Sequence, residues 1–275
     1  MSASIRQSVS HDADSPSNAT SATAAEQPAS AQPKRALKPK DAATLVLVDR
    51  SGGTPRILMG KRRSTQVFLP NKFVFPGGRV DRADRSMSCV GTLSKIDTTR
   101  LLYDMKGQPA SARARALALA AIRETFEEVG LVIGAKPEQT ASVSPALRNA
   151  SDKPDTGPVN ALNSWQQFLS TGYTPSVDGL TFFARAITPP SRPRRYDTRF
   201  FVADASLIAH DTGQADDELG KIGWFTLDEI RALDVPNITR AIVEDLSLTL
   251  AAPAYSGPVP YYRFVRGTFR RDTIA

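Results

Sequence analysis

The chain has 275 residues, 41% hydrophobic and 23% charged, with a net charge of +7. That is enough chain for a sizeable core and an ordinary globular composition; no stretch approaches the roughly 20 apolar residues of a membrane span, and the N-terminus lacks the basic-then-apolar pattern of a secretory signal. One cysteine, Cys89, precludes an internal disulfide and fits a reducing, cytoplasmic setting, while only two histidines, His11 and His210, argue against His-ligated zinc and Ser-His-Asp chemistry and leave carboxylates to carry a reaction.

Residues 1–40 are rich in Ser, Ala, Thr, Pro and Gln without apolar periodicity, and read as a disordered tail. A single domain is expected over residues 41–275, with order beginning near Ala42. "AATLVLVDR" reads as a buried strand, Ser51–Gly53 as a turn, and "RILMGKR" as the returning strand of a hairpin. "KFVFPGG" is a short strand ending in Gly77 and Gly78. The region from Arg85 to about Pro109 is read as irregular. "SARARALALAAIRETFEEVG" is a strong helix, with Ser111 as the expected N-cap and Gly130 as the stop.

"LVIG" is read as a strand and residues 134–160 as loop. "VNALNSWQQFLSTG" is a helix candidate. "GLTFFARAITPP" and "YDTRFFVADA" are strands joined by the basic loop "SRPRR". "KIGWFTLDEI" runs from strand into helix, with Thr226 and Glu229 spaced as a capping box, and "PNITRAIVEDLSLTL" is read as the final helix, with Pro236 near its start. Strands and helices are mixed, so the class is α/β or α+β. The Lys and Arg residues form no long stripe interleaved with aromatics. The positive charge therefore favours a phosphorylated small molecule over nucleic acid as partner.

In "RETFEEVG", Glu124, Glu127 and Glu128 fall within about 100° of helix face, while Leu119, Ile122, Phe126 and Val129 share the opposite face. Carboxylates so spaced repel one another. Arg123 supplies one positive charge, and a hard divalent cation, Mg²⁺ or Mn²⁺, would supply the rest. A solvated acidic face would carry the same residues.

The two segments together resemble the Nudix hydrolase signature: a glycine, five residues, an acid, a spacer, then Arg-Glu-x-x-Glu-Glu-x-Gly. Here Gly78 is followed after five residues by Asp84, and Arg123 to Leu131 match the second half. Asp84 stands where the family has Glu, Thr125 stands at an apolar position, and residues 85–122 intervene, 38 where the family has seven. An insertion of that length is tolerable because closure entropy grows slowly with loop length. The resemblance implies an α/β/α sandwich with a mixed central sheet. It implies metal binding by the Gly77 carbonyl, Glu124, Glu127 and Glu128, and a catalytic set of Arg123, Glu124, Glu128 and a late carboxylate. Glu218 is the first choice for the last role, with Asp216 and Asp217 as competitors.

The insertion at about 85–110 and "ITPPSRPRRYDTRFFVA" look like the branch that includes peroxisomal acyl-coenzyme A diphosphatases. That resemblance implies Mg²⁺-dependent cleavage of coenzyme A or acyl-coenzyme A to 3′,5′-ADP and (acyl-)phosphopantetheine. Arg192, Arg194 and Arg195 offer bidentate guanidinium contacts to substrate phosphates; a basic strand-connecting loop would carry the same residues. ADP-ribose, NADH and dinucleoside polyphosphates are alternative substrates, a non-catalytic nucleotide sensor is the alternative to an enzyme, and a homodimer is left open.

Overall fold

The computed structural model describes residues 37–136, 161–250 and 257–275. The tail expected for residues 1–40 falls outside the described residues up to residue 36, as does most of the loop expected at 134–160.

Residues 36–275 form one compact unit. Its spine is β1 (Lys40–Asp49), an apolar run buried on both faces, as a central strand flanked by helices requires. On one side β1 pairs in parallel with β8 (Tyr196–Asp204). On the other side it is shared by two strands. β2 (Arg56–Arg62) takes its far end, through Val48 opposite Ile57, and β4 (Gly77–Arg79) takes its near end, through Thr44 opposite Gly77. The short β3 (Phe73–Val74) pairs with β2, so the chain crosses from the β2 edge to the β1 edge at Phe75–Pro76. That crossing sets the glycine turn against the middle of β1.

Outward from β8 lie β7 (Thr181–Ile187), β11 (Val259–Val265) and β12 (Thr268–Ile274); beyond β2 lies β10 (Leu219–Thr226). The sheet is mixed, with the β1–β8 and β7–β11 pairs parallel. A small second sheet joins β6 (Thr174–Pro175), β5 (Leu131–Ala135) and β9 (Ile208–Asp211).

Alternation along β1 divides the core. Ala43, Leu45 and Leu47 pack under α3 (Ser111–Val129) and α4 (Ala161–Ser170). Val46 and Val48 face α5 (Leu227–Ala232) and α6 (Asn237–Leu250). This is the expected α/β/α sandwich. The capping box of α5 is formed as read, with Thr226 and Glu229 each accepting from the other's backbone N–H.

Three expectations are corrected. The region read as irregular contains α1 (Arg82–Ser86) and α2 (Lys95–Leu102), capped by Asp81 and Ser94. Met87, Leu101 and Met105 of this insertion are core residues, and the buried Arg185 donates to the carbonyls of Tyr103 (2.6 Å) and Asp104 (3.2 Å). The insertion is thus part of the packed body of the domain. Secondly, Ala110 rather than Ser111 is the N-cap of α3, without a side-chain cap bond; Ser111 already has helical geometry. Finally, α6 is not the last element, because Val259–Ile274 forms the antiparallel hairpin β11–β12.

Among the described residues no helix is long and apolar enough to cross a membrane. Cys89 is partly buried, and that burial pushes its thiol up, as suits an inert cysteine.

Candidate active site: a glycine turn against a carboxylate helix

Phe73 and Phe75 sink into the core on one side of the sheet and fix the approach to the turn. The Pro76 carbonyl accepts from the Leu45 N–H at 3.0 Å. A Cβ on Gly77 would stand 2.5 Å from Thr44 Oγ1 and 2.6 Å from the Ala43 carbonyl, and a Cβ on Gly78 would lie inside the Glu124 carboxylate. Glycine is required here because the β1 backbone, the Thr44 hydroxyl and the Glu124 carboxylate occupy the space of a side chain. The Gly77 N–H then donates to Glu128 Oε2 at 2.9 Å.

The acidic face of α3 therefore lies under the turn and is not a solvated surface. The helix ends at Gly130, in the left-handed region at φ 80°, with its N–H on the Phe126 carbonyl. A Cβ there would run into the Gln214 carbonyl. Without one, the segment before β10 docks on the helix end. Thr212 N–H donates to Gly130 O at 3.0 Å, and Asp216 N–H to Glu127 O at 2.7 Å.

Arg123 organises the acids from below. Its Nε and Nη2 grip Asp84 at 2.8 and 3.1 Å, its Nη1 reaches Glu127 Oε1 at 2.8 Å, and its Nη2 reaches Glu124 Oε1 at 2.9 Å and the Arg79 carbonyl at 3.0 Å. Burial works against the charge on Arg123, but Glu124, Asp84 and Glu127 outweigh it and hold the guanidinium protonated. Asp84 is fully buried and also accepts from Trp165 Nε1 at 2.9 Å and the Asp81 N–H at 2.7 Å. Despite the insertion, Asp84 is thus brought under Arg123.

Burial pushes the Glu124 carboxyl up to about 8; Arg123 opposes the shift and Glu127 reinforces it. Burial and the neighbouring Glu124 carry Glu128 well above the usual carboxylate range, against the Gly77 N–H. Glu218 packs at the rim, ion-paired with Arg62, whose Nη1 lies 4.0 Å from Glu128 Oε1. Asp216 accepts from the Glu218 N–H at 2.8 Å and is raised by burial. Asp217 turns outward to Arg63 at 2.6 Å.

Among the described residues no three His, Cys, Asp or Glu side chains form a ready-made cage for an ion. The donor chemistry nevertheless fits a hard dication. Among the described residues, Asp84, Glu124, Glu127, Glu128 and Glu218 share only Arg123 and Arg62 as close cations. Glu124 and Glu128 are the pair whose ionisation the site leaves uncompensated, and oxygen donors of this kind suit Mg²⁺ or Mn²⁺.

The three arginines of the β7–β8 connection are not joined to this cluster. Arg195 is committed to the Thr188 carbonyl at 3.0 Å and the Leu37 carbonyl at 2.6 Å, while Arg192 and Arg194 are exposed. Tyr196 beside them meets the Phe68 ring at 5.5 Å between centroids. Sequence reasoning missed Arg62 and Trp165. "GKRR" marked a basic strand end, but nothing in it pointed across the sheet to Glu218.

A family model described as the NUDT19 Nudix domain matches residues 39–234. A Caenorhabditis elegans protein whose name places it among the nudix hydrolases is 29% identical over 163 residues, which cover 59% of this chain and 43% of that protein. The Gallus gallus acyl-coenzyme A diphosphatase NUDT19 is 26% identical over 204 residues, covering 61% and 53%. The chain thus spans about half the length of the curated relatives it matches. Among solved structures, a NUDIX hydrolase from Alicyclobacillus acidocaldarius shares the fold, with a TM-score of 0.51 at 24% identity, over 75% of this chain and 90% of that one.

Proposed function

The chain belongs to the Nudix family, in the branch of the NUDT19 Nudix domain, and on that premise we propose that it is a Mg²⁺- or Mn²⁺-dependent diphosphatase of coenzyme A or acyl-coenzyme A. The products are 3′,5′-ADP and (acyl-)phosphopantetheine, and the setting is cytoplasmic. The observation that carries the diphosphatase reading is the buried Glu124–Glu128 pair beneath a turn that only glycine permits. The coenzyme A reading is supported by the name of the Gallus gallus relative.

In this reading the Gly77 carbonyl, Glu124, Glu127 and Glu128 would hold the metal, which when bound would supply charge neutralisation of the diphosphate and a lowered pKa for water. Arg123 orients Glu124 and Glu127, and is itself fixed by Asp84 and Trp165. The Gly77 N–H fixes the rotamer of Glu128. Glu218, at the rim with 36% of its side chain exposed, takes the proton of the attacking water at a carboxylate oxygen. Asp216 supports it through the Glu218 N–H, and the outward-turned Asp217 takes no part. Arg192 and Arg194 contact a peripheral phosphate of the substrate, and Arg195 holds their turn to the carbonyls of Thr188 and Leu37.

Product identity tests the reading. The full chain is incubated with Mg²⁺ and coenzyme A, a short acyl-coenzyme A, ADP-ribose, NADH or diadenosine polyphosphates, and the products are identified by mass spectrometry. Release of 3′,5′-ADP by wild type and not by Glu128→Gln is expected. AMP from ADP-ribose or NADH, with coenzyme A intact, would replace the substrate and keep the site. Binding without turnover of any compound would make the protein a nucleotide sensor.

A further inference from the structure

At the rim of the site Arg62 makes four contacts that the proposed chemistry has not used. Its side chain is 12% exposed. Nε donates to the Phe68 carbonyl at 2.9 Å, and Nη2 donates to Gln66 Oε1 at 3.1 Å and to Glu218 Oε1. Nη1 faces Glu128 Oε1 at 4.0 Å. Arg62 ends β2 directly opposite Leu219, the first residue of β10, so the strand ladder itself puts Glu218 within its reach.

The segment that Arg62 grips has only two backbone hydrogen bonds of its own among those described, Gln66 N–H to Arg63 O at 3.1 Å and Lys72 N–H to Leu69 O at 3.5 Å. Between Arg62 and Phe73 the chain turns through Leu69 at φ 54° and Asn71 at φ 61°, left-handed conformations that are unfavourable for a leucine. Its backbone is closed by Arg62 on both sides: Arg62 N–H donates to Lys72 O at 2.9 Å and Asn71 N–H to Arg62 O at 3.1 Å. Val67, 75% exposed, is carried at its tip. One guanidinium therefore fastens this turn, the late carboxylate and the helix carboxylate in a single geometry.

We propose that Arg62 is a second positioning residue of the active site beside Arg123, holding Glu218 against Glu128 and locking the 63–72 turn beside them as one unit. A lysine at this place could still pair with Glu218. It has no planar fork with which to hold the Phe68 carbonyl and Gln66 at the same time. The catalytic part of this inference rests on the role proposed for Glu218, whereas the positioning part does not.

The experiment uses the full chain in two arms. In the first, amide hydrogen exchange is followed by mass spectrometry for wild type, Arg62→Gln and Arg62→Lys. Arg62→Gln is expected to speed exchange on the order of tenfold in peptides covering 63–72 and 214–219, with 111–130 unchanged. Arg62→Lys restores 214–219 but not 63–72. Wild-type exchange at 214–219 in Arg62→Gln would overturn the proposal, as would loss of protection throughout α3, which would mark Arg62 as a general fold residue.

In the second arm, turnover is measured for whichever compound wild type cleaves. Arg62→Gln is expected to lower kcat by about 10- to 100-fold with KM within about twofold, and the Arg62→Gln/Glu218→Gln double variant to be no slower than the slower single variant. Full multiplication of the two losses would overturn the catalytic part. Failure of wild type to cleave anything would remove the proposed function and leave the exchange arm to decide on Arg62.

Discussion

Raising the pH from 5 to 8 in the presence of a chelator is expected to destabilise the protein, largely through Glu124. The folded structure lifts this carboxyl from 4.5 to about 8 by burial. Its stabilising contribution is therefore complete below the unfolded value and is lost as pH rises toward 8, because the unfolded chain releases a proton that the folded one retains. The ceiling is about 1.4 kcal/mol per pH unit, or about 4 kcal/mol over this window. Glu124 keeps 13% of its side chain exposed and pairs with Arg123 at 2.9 Å, so relaxation reduces the loss to an order of about 2 kcal/mol. For a domain of this size that is about 4–8 °C of melting temperature.

Glu128 shifts in the same direction and adds to the loss. The lowered acids, Asp49, Asp104, Asp204, Glu229 and Glu244, lose their contribution only below about pH 5 and so do not act in this window. The assay is thermal melting by circular dichroism in EDTA at each half pH unit. Wild type should fall, Glu124→Gln should fall less, and the Glu124→Gln/Glu128→Gln pair should fall least, the remainder coming from Asp97 and Asp216, whose carboxyls burial also raises. Millimolar Mg²⁺ should raise the wild-type melting temperature most at pH 8, where the carboxylates it would bind are ionised. A wild-type curve that is level or rising from pH 5 to 8, or the same slope in Glu124→Gln, would refute the reasoning.

Gly78→Ala places a Cβ inside the Glu124 carboxylate; Mn²⁺ affinity measured by calorimetry should fall by at least about tenfold, the cost of displacing one ligand, and wild-type affinity would contradict the geometry. Asp84→Asn takes the forked partner from the buried Arg123, which keeps Glu124 and Glu127, and should cost about 1.5–3 kcal/mol in urea unfolding. Trp165→Phe removes only one donor to Asp84 and should cost about 1–2 kcal/mol in the same assay. For any compound the protein cleaves, Asp217→Asn should leave kcat within about twofold, because that side chain is 90% exposed, whereas Glu218→Gln should lower it by about 100-fold or more.

The site was legible where its parts are local in sequence. Three carboxylates on one helix face, an apolar stripe on the other and a glycine pair after "FVF" all follow from periodicity and turn chemistry. The glycine requirement at Gly78 was legible as a turn but not as room for Glu124, since that contact joins residues far apart in the chain. Asp84 was recognised by its spacing from Gly78, yet its place under Arg123 depends on how α1 and α2 fold back. Those helices escaped notice because they have five and eight residues, too few to show a periodic stripe.

The C-terminal hairpin was hidden by its charges. Alternation in β11 and β12 is broken by arginines whose acidic partners lie across the strands, on α6 or in the insertion, such as Arg263 with Asp272 at 2.7 Å and Asp104 at 3.6 Å and Arg271 with Asp245 at 2.8 Å. Arg62 was invisible for the same reason: its meaning lies in the β2–β10 pairing, which no local pattern announces.

The central claim is that the glycine turn and the α3 carboxylates form one metal centre, and Mn²⁺ titration followed by electron paramagnetic resonance tests it most directly. The full chain at pH 8 should bind Mn²⁺ saturably, with affinity lowered by at least about tenfold in Glu128→Gln and in Gly78→Ala, while both variants keep wild-type circular dichroism. Saturable binding that is unchanged in both folded variants, or no binding by wild type at millimolar Mn²⁺, would contradict the account.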